Sequence, residues 1–140
     1  MKHAAQTAGI RSTRYRLGWI LSGLAIAFLL LDSIMKLLAL PVVLQASGAL
    51  GFVGPGMARG LGMVLLVCTA LYAAPRTAIF GAILLTGYLG GAVAAHLRAG
   101  DPLVTHVLFG VYAGVLVWSG LYLRDSRLST LIPVRSPLEE

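Results

Sequence analysis

Residues 17–40, LGWILSGLAIAFLLLDSIMKLLAL, form an apolar stretch long enough to cross a bilayer, and two opposite charges lie inside it. At about 1.5 Å per residue, a helix of this length measures roughly 36 Å, against a bilayer core of about 30 Å. Asp32 and Lys36 are four residues apart in this stretch. One charged side chain at the bilayer centre costs at least about 2.5–3.5 kcal/mol. The pair therefore indicates a polar site within a membrane protein.

The composition of the whole chain is that of a membrane protein. Of its 140 residues, 58% are hydrophobic and 11% are charged, whereas a soluble domain has about 45–50% and about 25% respectively. The net charge of +6 does not indicate nucleic-acid binding, because the arginines stand where apolar runs end and not in one dense run. That distribution follows the positive-inside rule. We therefore expect the lipid bilayer, and no nucleic acid, as a partner.

The apolar runs predict an all-α fold, a bundle of four transmembrane helices in one domain that covers residues 17–125. Arginines precede the first run, separate the second from the third and follow the fourth, so both termini are predicted on the cytoplasmic side. We expect a multi-pass protein of a bacterial-type inner membrane. Residues 1–16 are predicted as a basic cytoplasmic segment and residues 126–140 as a cytoplasmic tail. The four predicted spans are residues 17–40, 57–74, 77–97 and 103–123.

The two connections at the outer end of the predicted bundle differ in kind. Residues 41–56 are apolar and rich in glycine, with Ser47 among their few polar side chains. We expect this segment to lie in the interface or to fold over the bundle as a lid. Residues 98–102, RAGDP, predict a tight turn between the third and fourth spans. Gly100 can take the left-handed conformation that ends a helix, and Asp101 can cap the helix that follows.

Small residues predict how the third and fourth spans pack against each other. Gly87 and Gly91 are four residues apart, and so are Gly110 and Gly114. In apolar spans, small residues at this spacing allow two backbones to approach closely. We therefore expect the first glycine pair to contact the second.

The polar and charged side chains, which are energetically unfavourable within a membrane, lie in the outer half of the predicted bundle. This distribution predicts one outward-facing polar cavity. Asp32, His96 and His106 are the candidate catalytic residues, because carboxylates and imidazoles are common proton-transfer groups. No metal site is predicted, since two histidines separated by nine residues across a turn do not match an established metal-ligand spacing. The candidate substrate-binding residues are Lys36, Arg59, Tyr88, Arg98 and Asp101.

These polar side chains also have a purely structural interpretation. Asp32 and Lys36 have the helical spacing of an ion pair with the acid first, so they can neutralise each other and only orient the first helix. The two histidines can be interfacial groups bonded to loop backbone, and Arg59 and Arg98 can be interfacial anchors. The sequence leaves both interpretations open.

Three short motifs resemble those of the DoxX-like family of small membrane proteins. They are TGYLGGA at residues 86–92, H-x-R-x-G-x-P at 96–102 and W-x-G-L-Y-L-R-D at 118–125, and the resemblance covers residues 18–125. It implies a four-helix membrane bundle. The family is named for a subunit of a thiosulfate:quinone oxidoreductase, so the resemblance also implies a redox-linked role with a quinone as ligand.

The leading hypothesis is a membrane protein that binds a quinone-like or lipophilic small molecule in a redox-linked role, with a partner subunit or as a homo-oligomer. The sequence holds no motif for nucleotide hydrolysis, serine hydrolysis or thiol exchange, so no catalytic class and no encoded cofactor is predicted. Two alternatives stay open. One is a small transporter in which Asp32 relays protons, and the other is a non-catalytic assembly subunit of a membrane complex.

Overall fold

The computed structural model describes residues 2–131, with the side chains of residues 13–128, and this part of the chain is helical without any strand. Four helical segments are long and apolar enough to cross a membrane. The prediction of an all-α protein with four transmembrane helices is thereby confirmed, whereas the cytoplasmic placement of both termini stays a prediction. The helices are α1 (Lys2–Leu37), α2 (Pro41–Ala49), α3 (Pro55–Ala73), α4 (Ala78–Ala99), α5 (Phe109–Arg124) and α6 (Ser126–Leu131), with a π-helical turn (Leu103–Val107) before α5.

The candidate spans lie close to the predicted ones along the chain. They are Thr13–Leu37, Pro55–Ala73, Ala78–Ala99 and Leu103–Arg124. The last of these combines the π-helical turn with α5. Of the predicted tail, residues 126–131 form α6, and residues 132–140 lie outside the described residues.

The four long helices form a ring in which α1 and α4 occupy opposite corners. Helix α1 packs against α3 and α5, and α4 packs against the same two helices. Leu65, Leu85 and Leu121 are fully buried at the centre. Side chains on the outside, such as Ile20 and Leu24, are apolar and more than half exposed. A bundle with an apolar outer surface suits a surrounding of lipid acyl chains.

Glycines at the helix interfaces bring backbones together. A Cβ built at Gly81 of α4 would lie 2.6 Å from the Cα of Tyr72 in α3, and one at Gly120 of α5 would lie 2.8 Å from the backbone nitrogen of Ser22 in α1. Both distances are too short for any side chain, since backbone atoms cannot move aside cheaply. These two positions therefore require glycine because of close helix approach.

The predicted contact between the two glycine pairs of α4 and α5 is wrong. Gly110 packs against Leu89 and Val93, while Gly87 and Gly91 have no atom within 4 Å of where a Cβ would stand. Helix α4 is rotated so that these two glycines face an open space and not α5. Spacing along the chain identified small residues but not the direction in which they point.

A buried polar cluster joins three helices at the end of the bundle opposite α2. The Tyr72 hydroxyl donates to the backbone oxygen of Val117 at 2.9 Å and lies 3.0 Å from the Ser22 hydroxyl. Arg124 donates to the backbone oxygen of Tyr72 at 2.9 Å, and its guanidinium stacks over the rings of Trp19 and Tyr72 at 4.6 and 4.8 Å. Hydrogen bonds and cation–π contacts between helices stabilise packing where lipid supplies little hydrophobic drive.

The other end of the bundle departs from the predicted helix ends in two ways. Helix α1 ends at Leu37 and not at residue 40, because the chain turns through Ala39 at a φ of 50° before Pro41 opens α2. Gly100 ends α4 in the left-handed conformation, as predicted. The predicted cap by Asp101 is wrong: no side chain caps the following turn, since the Asp101 carboxylate is bonded to His96.

We predict that Gly81→Ala destabilises the bundle, because its Cβ would collide with the backbone of Tyr72. Overpacking of this kind costs about 1–3 kcal/mol. Gly90→Ala on the same helix is the matched control, since its Cβ would meet nothing within 4 Å and alanine is the better helix former. Titration with sodium dodecyl sulfate in mixed micelles, followed by circular dichroism, measures both unfolding free energies. Equal stability of the two variants would contradict the close approach.

Candidate functional site

A cavity of about 520 Å³ lies between α2 and the four long helices. We call it the α2 cavity, because α2 and the loop after it form one of its walls. Most of its lining is apolar. The lining residues are Phe28, Leu29, Asp32, Met35 and Lys36 of α1; Val42, Val43, Ala46 and Ser47 of α2; Leu50 and Phe52 of the loop; Leu61 of α3; Gly87, Tyr88, Leu89, Gly91, Ala92 and Ala95 of α4; and Phe109 and Gly110 of α5.

The α2 cavity exists because one face of α4 carries small residues. Gly87, Gly91 and Ala95 recur every four residues and all line the cavity, which places them on one side of a helix. The first two leave open space where a Cβ would be. A large side chain at any of these positions would occupy that volume.

The predicted ion pair lies in the wall of this cavity. The Lys36 ammonium donates to Oδ1 of Asp32, one helical turn away. The Asp32 side chain is 34% exposed and that of Lys36 is 17% exposed. No other charged residue lines the cavity among the residues that the structure describes. Its wall therefore carries one positive and one negative charge that neutralise each other.

Two hydroxyl groups complete the polar part of the wall. Ser47 of α2 is only 7% exposed, and Tyr88 of α4 is half-buried. Within residues 13–128, neither side chain makes a hydrogen bond to another protein group, and the Tyr88 phenol interacts electrostatically with Asp32. Tyr88 was predicted as a ligand-binding residue, and Ser47 was missed. The signal for Ser47 was a hydroxyl inside an apolar segment, but its orientation depends on the rotation of α2, which the sequence does not reveal.

The two predicted catalytic histidines lie outside the α2 cavity, at the turn between α4 and α5. His96 Nδ1 donates to Oδ2 of Asp101 at 2.6 Å, and the centres of the His96 and His106 rings are 5.9 Å apart. A hydrogen bond of 2.8 Å joins His106 Nδ1 to the hydroxyl of Thr105. Hence the polar residues predicted to form one cavity lie in more than one group. Among the described residues, no cluster of three or more histidine, cysteine, aspartate or glutamate side chains could hold a metal ion.

The two predicted substrate-binding arginines donate hydrogen bonds to the backbone on either side of α2. Arg59 Nε donates to the backbone oxygen of Leu37, the last residue of α1, at 3.3 Å. Arg98 Nη2 donates to the backbone oxygen of Leu50, directly after α2, at 2.6 Å. Neither arginine lines the α2 cavity. Arg98 thus fastens the C-terminal end of α2, the helix that covers the cavity, and Arg59 fastens the end of α1. Direct contact of either arginine with a ligand stays a prediction.

The family model described as the DoxX-like family matches residues 20–120 of this chain. The match runs from α1 into α5 and includes every residue that lines the α2 cavity. No curated protein and no solved structure matches the chain significantly.

We predict that Arg98→Ala loosens α2. The variant loses the hydrogen bond to the Leu50 oxygen, and one such bond corresponds to roughly a three- to tenfold change in local opening. Hydrogen–deuterium exchange in micelles should show faster exchange of α2 amides and unchanged exchange of α4 amides. Arg76→Ala is the control, because Arg76 is exposed at the other end of the bundle. Equal α2 exchange in both variants would show that Arg98 does not fasten α2.

We also predict that the charges of Asp32 and Lys36 are energetically coupled. Asp32→Asn or Lys36→Met alone leaves an uncompensated charge in a low-dielectric setting, and each should cost about 1–3 kcal/mol. The double variant should recover most of that loss, since no charge remains. A double-mutant cycle of unfolding free energies in mixed micelles measures the coupling. Additive losses would mean that the two charges are solvated independently.

Proposed function

The chain belongs to the DoxX-like family, and from this membership and the α2 cavity we propose that it binds a small lipophilic, quinone-like molecule within the membrane in a redox-linked role. The observation that carries the proposal is the cavity itself. Its volume of about 520 Å³ falls in the range of roughly 300–1,000 Å³ that is usual for small-molecule sites. Such sites are mostly apolar with a few polar groups that orient the ligand, and the α2 cavity has this composition.

Aromatic side chains in the cavity wall favour a ligand with a flat ring. Phe28 and Phe109 meet edge to face, with ring centres 5.3 Å apart and an angle of 62°. Phe52 and Tyr88 line the same space. Aromatic faces and edges stabilise stacked or T-shaped contacts with another ring. The quinone head group has this flat shape.

Access from the bilayer is favoured by the two phenylalanines that line the cavity on α1 and α5. Phe28 is 43% exposed and Phe109 is 46% exposed, so both rings also belong to the accessible surface of the bundle. A lipophilic molecule dissolved in the bilayer core can therefore reach these two rings of the cavity wall from the side of the bundle. Such a route avoids passage of the ligand through water.

The ion pair of Asp32 and Lys36 supplies the proton-exchanging group that a redox-linked role requires. Reduction of a quinone to a quinol consumes two electrons and two protons. The Asp32 carboxylate in the cavity wall can accept and return a proton, and Lys36 holds it in place. The electrons come from a partner subunit or another external donor, because the sequence has no motif for a bound redox cofactor.

A second candidate function is proton relay in a small transporter. It is favoured by the same carboxylate, which is partly exposed within a membrane-spanning helix, where ionisable groups often mark ion pathways. Asp32→Asn reconstituted in liposomes separates the two functions. Loss of proton-coupled flux would favour the transporter, whereas loss of quinone-dependent turnover with a partner would favour the redox role. If neither is affected, the third hypothesis, an assembly subunit, gains support.

We predict that Gly91→Leu weakens ligand binding at least tenfold by filling the α2 cavity. The Gly91 backbone faces open space in the cavity, so the leucine side chain displaces the ligand without clashing with another helix. Gly60→Leu is the control, because Gly60 is equally open and lies outside the cavity. Native mass spectrometry with a decyl-substituted para-benzoquinone should show at least tenfold weaker binding for Gly91→Leu only. Equal binding by both variants would place any ligand site elsewhere.

A further inference from the structure

The hydroxyl groups of Ser47 and Tyr88 are the uncharged polar side-chain groups of the α2 cavity. Both line the cavity, and within residues 13–128 neither makes a hydrogen bond to another protein group. Ser47 as a residue is only 7% exposed, and its hydroxyl oxygen keeps accessible surface. A hydroxyl in the wall of a mostly apolar cavity has few protein partners within reach, so it normally bonds to water or to a ligand. These two hydroxyls therefore point to a bound molecule that carries polar atoms.

The charges of the cavity wall argue for a ligand without net charge. Lys36 already donates to Asp32, and within the described residues no further ionisable group except the phenol of Tyr88 lines the cavity. An anion or cation placed there would lose its hydration without gaining a free opposite charge, which is expensive in a low-dielectric site. A neutral molecule avoids that cost.

The two hydroxyls lie on separate walls of the cavity. Ser47 belongs to α2, the short helix that Arg98 fastens at its C-terminal end. Tyr88 belongs to α4, a membrane-spanning helix of the bundle. Hydroxyl groups both donate and accept hydrogen bonds, so they can bond carbonyl oxygens as well as hydroxyl groups of a ligand. A ligand held from both walls would also hold α2 against the bundle.

We propose that the α2 cavity selects an uncharged lipophile whose oxygen atoms form hydrogen bonds with the hydroxyls of Ser47 and Tyr88. This inference rests on the proposed function, since it names the ligand class of the same cavity. It assigns ligand recognition to Ser47, a residue of the covering helix. It also distinguishes the preferred ligand from hydrocarbons and from fatty acids that would fit by size alone.

The test uses the full chain in detergent micelles and three probes that share a decyl chain and a six-membered ring. They are a decyl-substituted para-benzoquinone, decylbenzene and para-decylbenzoate, and isothermal titration calorimetry measures their affinities. The variants are Ser47→Ala and Tyr88→Phe, which remove one oxygen each. The matched controls are Ser119→Ala and Tyr112→Phe on α5, which remove the same groups outside the cavity.

We expect wild-type protein to bind the benzoquinone more tightly than the hydrocarbon or the carboxylate. Ser47→Ala and Tyr88→Phe should each weaken benzoquinone binding roughly three- to tenfold, the usual effect of one hydrogen bond. Binding of decylbenzene should not change, and the two control variants should behave as wild type. The thermal midpoint of ligand-free Ser47→Ala should be unchanged, because the variant loses no observed hydrogen bond within the protein.

The outcomes separate this inference from the proposed function. If the benzoquinone binds equally well to wild type and to both cavity variants, or if the carboxylate binds as tightly as the benzoquinone, the ligand class is wrong while the cavity remains a binding site. If a cavity variant loses benzoquinone and decylbenzene alike and also melts earlier, its hydroxyl is structural. If neither of these two probes binds wild-type protein, both proposals are overturned.

Discussion

Helices in a bilayer gain little from burying apolar side chains against each other, because the lipid chains around them are as apolar as leucine. This bundle depends instead on close backbone approach and on a few polar contacts between helices. Gly81 and Gly120 let neighbouring backbones meet where any Cβ would collide. The Tyr72 hydroxyl then joins α3 to α5 by a hydrogen bond inside the bundle. These contacts fix how the long helices pack against each other at this end of the bundle.

In the opposite half of the bundle, two glycines leave space open instead of allowing helices to approach closely. Gly87 and Gly91 have no neighbour within reach of a Cβ, and both line the α2 cavity. One helix, α4, therefore packs closely at Gly81 and borders a cavity about two to three turns later. Its rotation against α3 and α5 sets both features at once. Tight packing at one end thus holds the walls of the cavity in place at the other.

The ion pair of Asp32 and Lys36 lies in the wall of this cavity. An ion pair within an apolar span is costly unless both partners are satisfied, and the structure satisfies Lys36 and Asp32 with each other at the cavity wall. Their mutual neutralisation leaves the neutral hydroxyls of Ser47 and Tyr88 as the groups free to recognise a ligand. In the proposed role, the wall thus combines an apolar enclosure, a proton-accepting carboxylate and two hydrogen-bonding groups.

The sequence by itself determined the four spans, the left-handed end of α4 at Gly100 and the location of Asp32 and Lys36 on one helical face, because hydrophobic length, helix caps and helical spacing are local properties. Only the tertiary structure decided that Gly87 and Gly91 border a cavity, that Asp101 bonds His96 and not the next helix, that the histidines lie apart from the ion pair and that Ser47 faces inward. These features depend on how each helix is rotated against its neighbours. That rotation is set by packing among residues distant in sequence, which local spacing does not report.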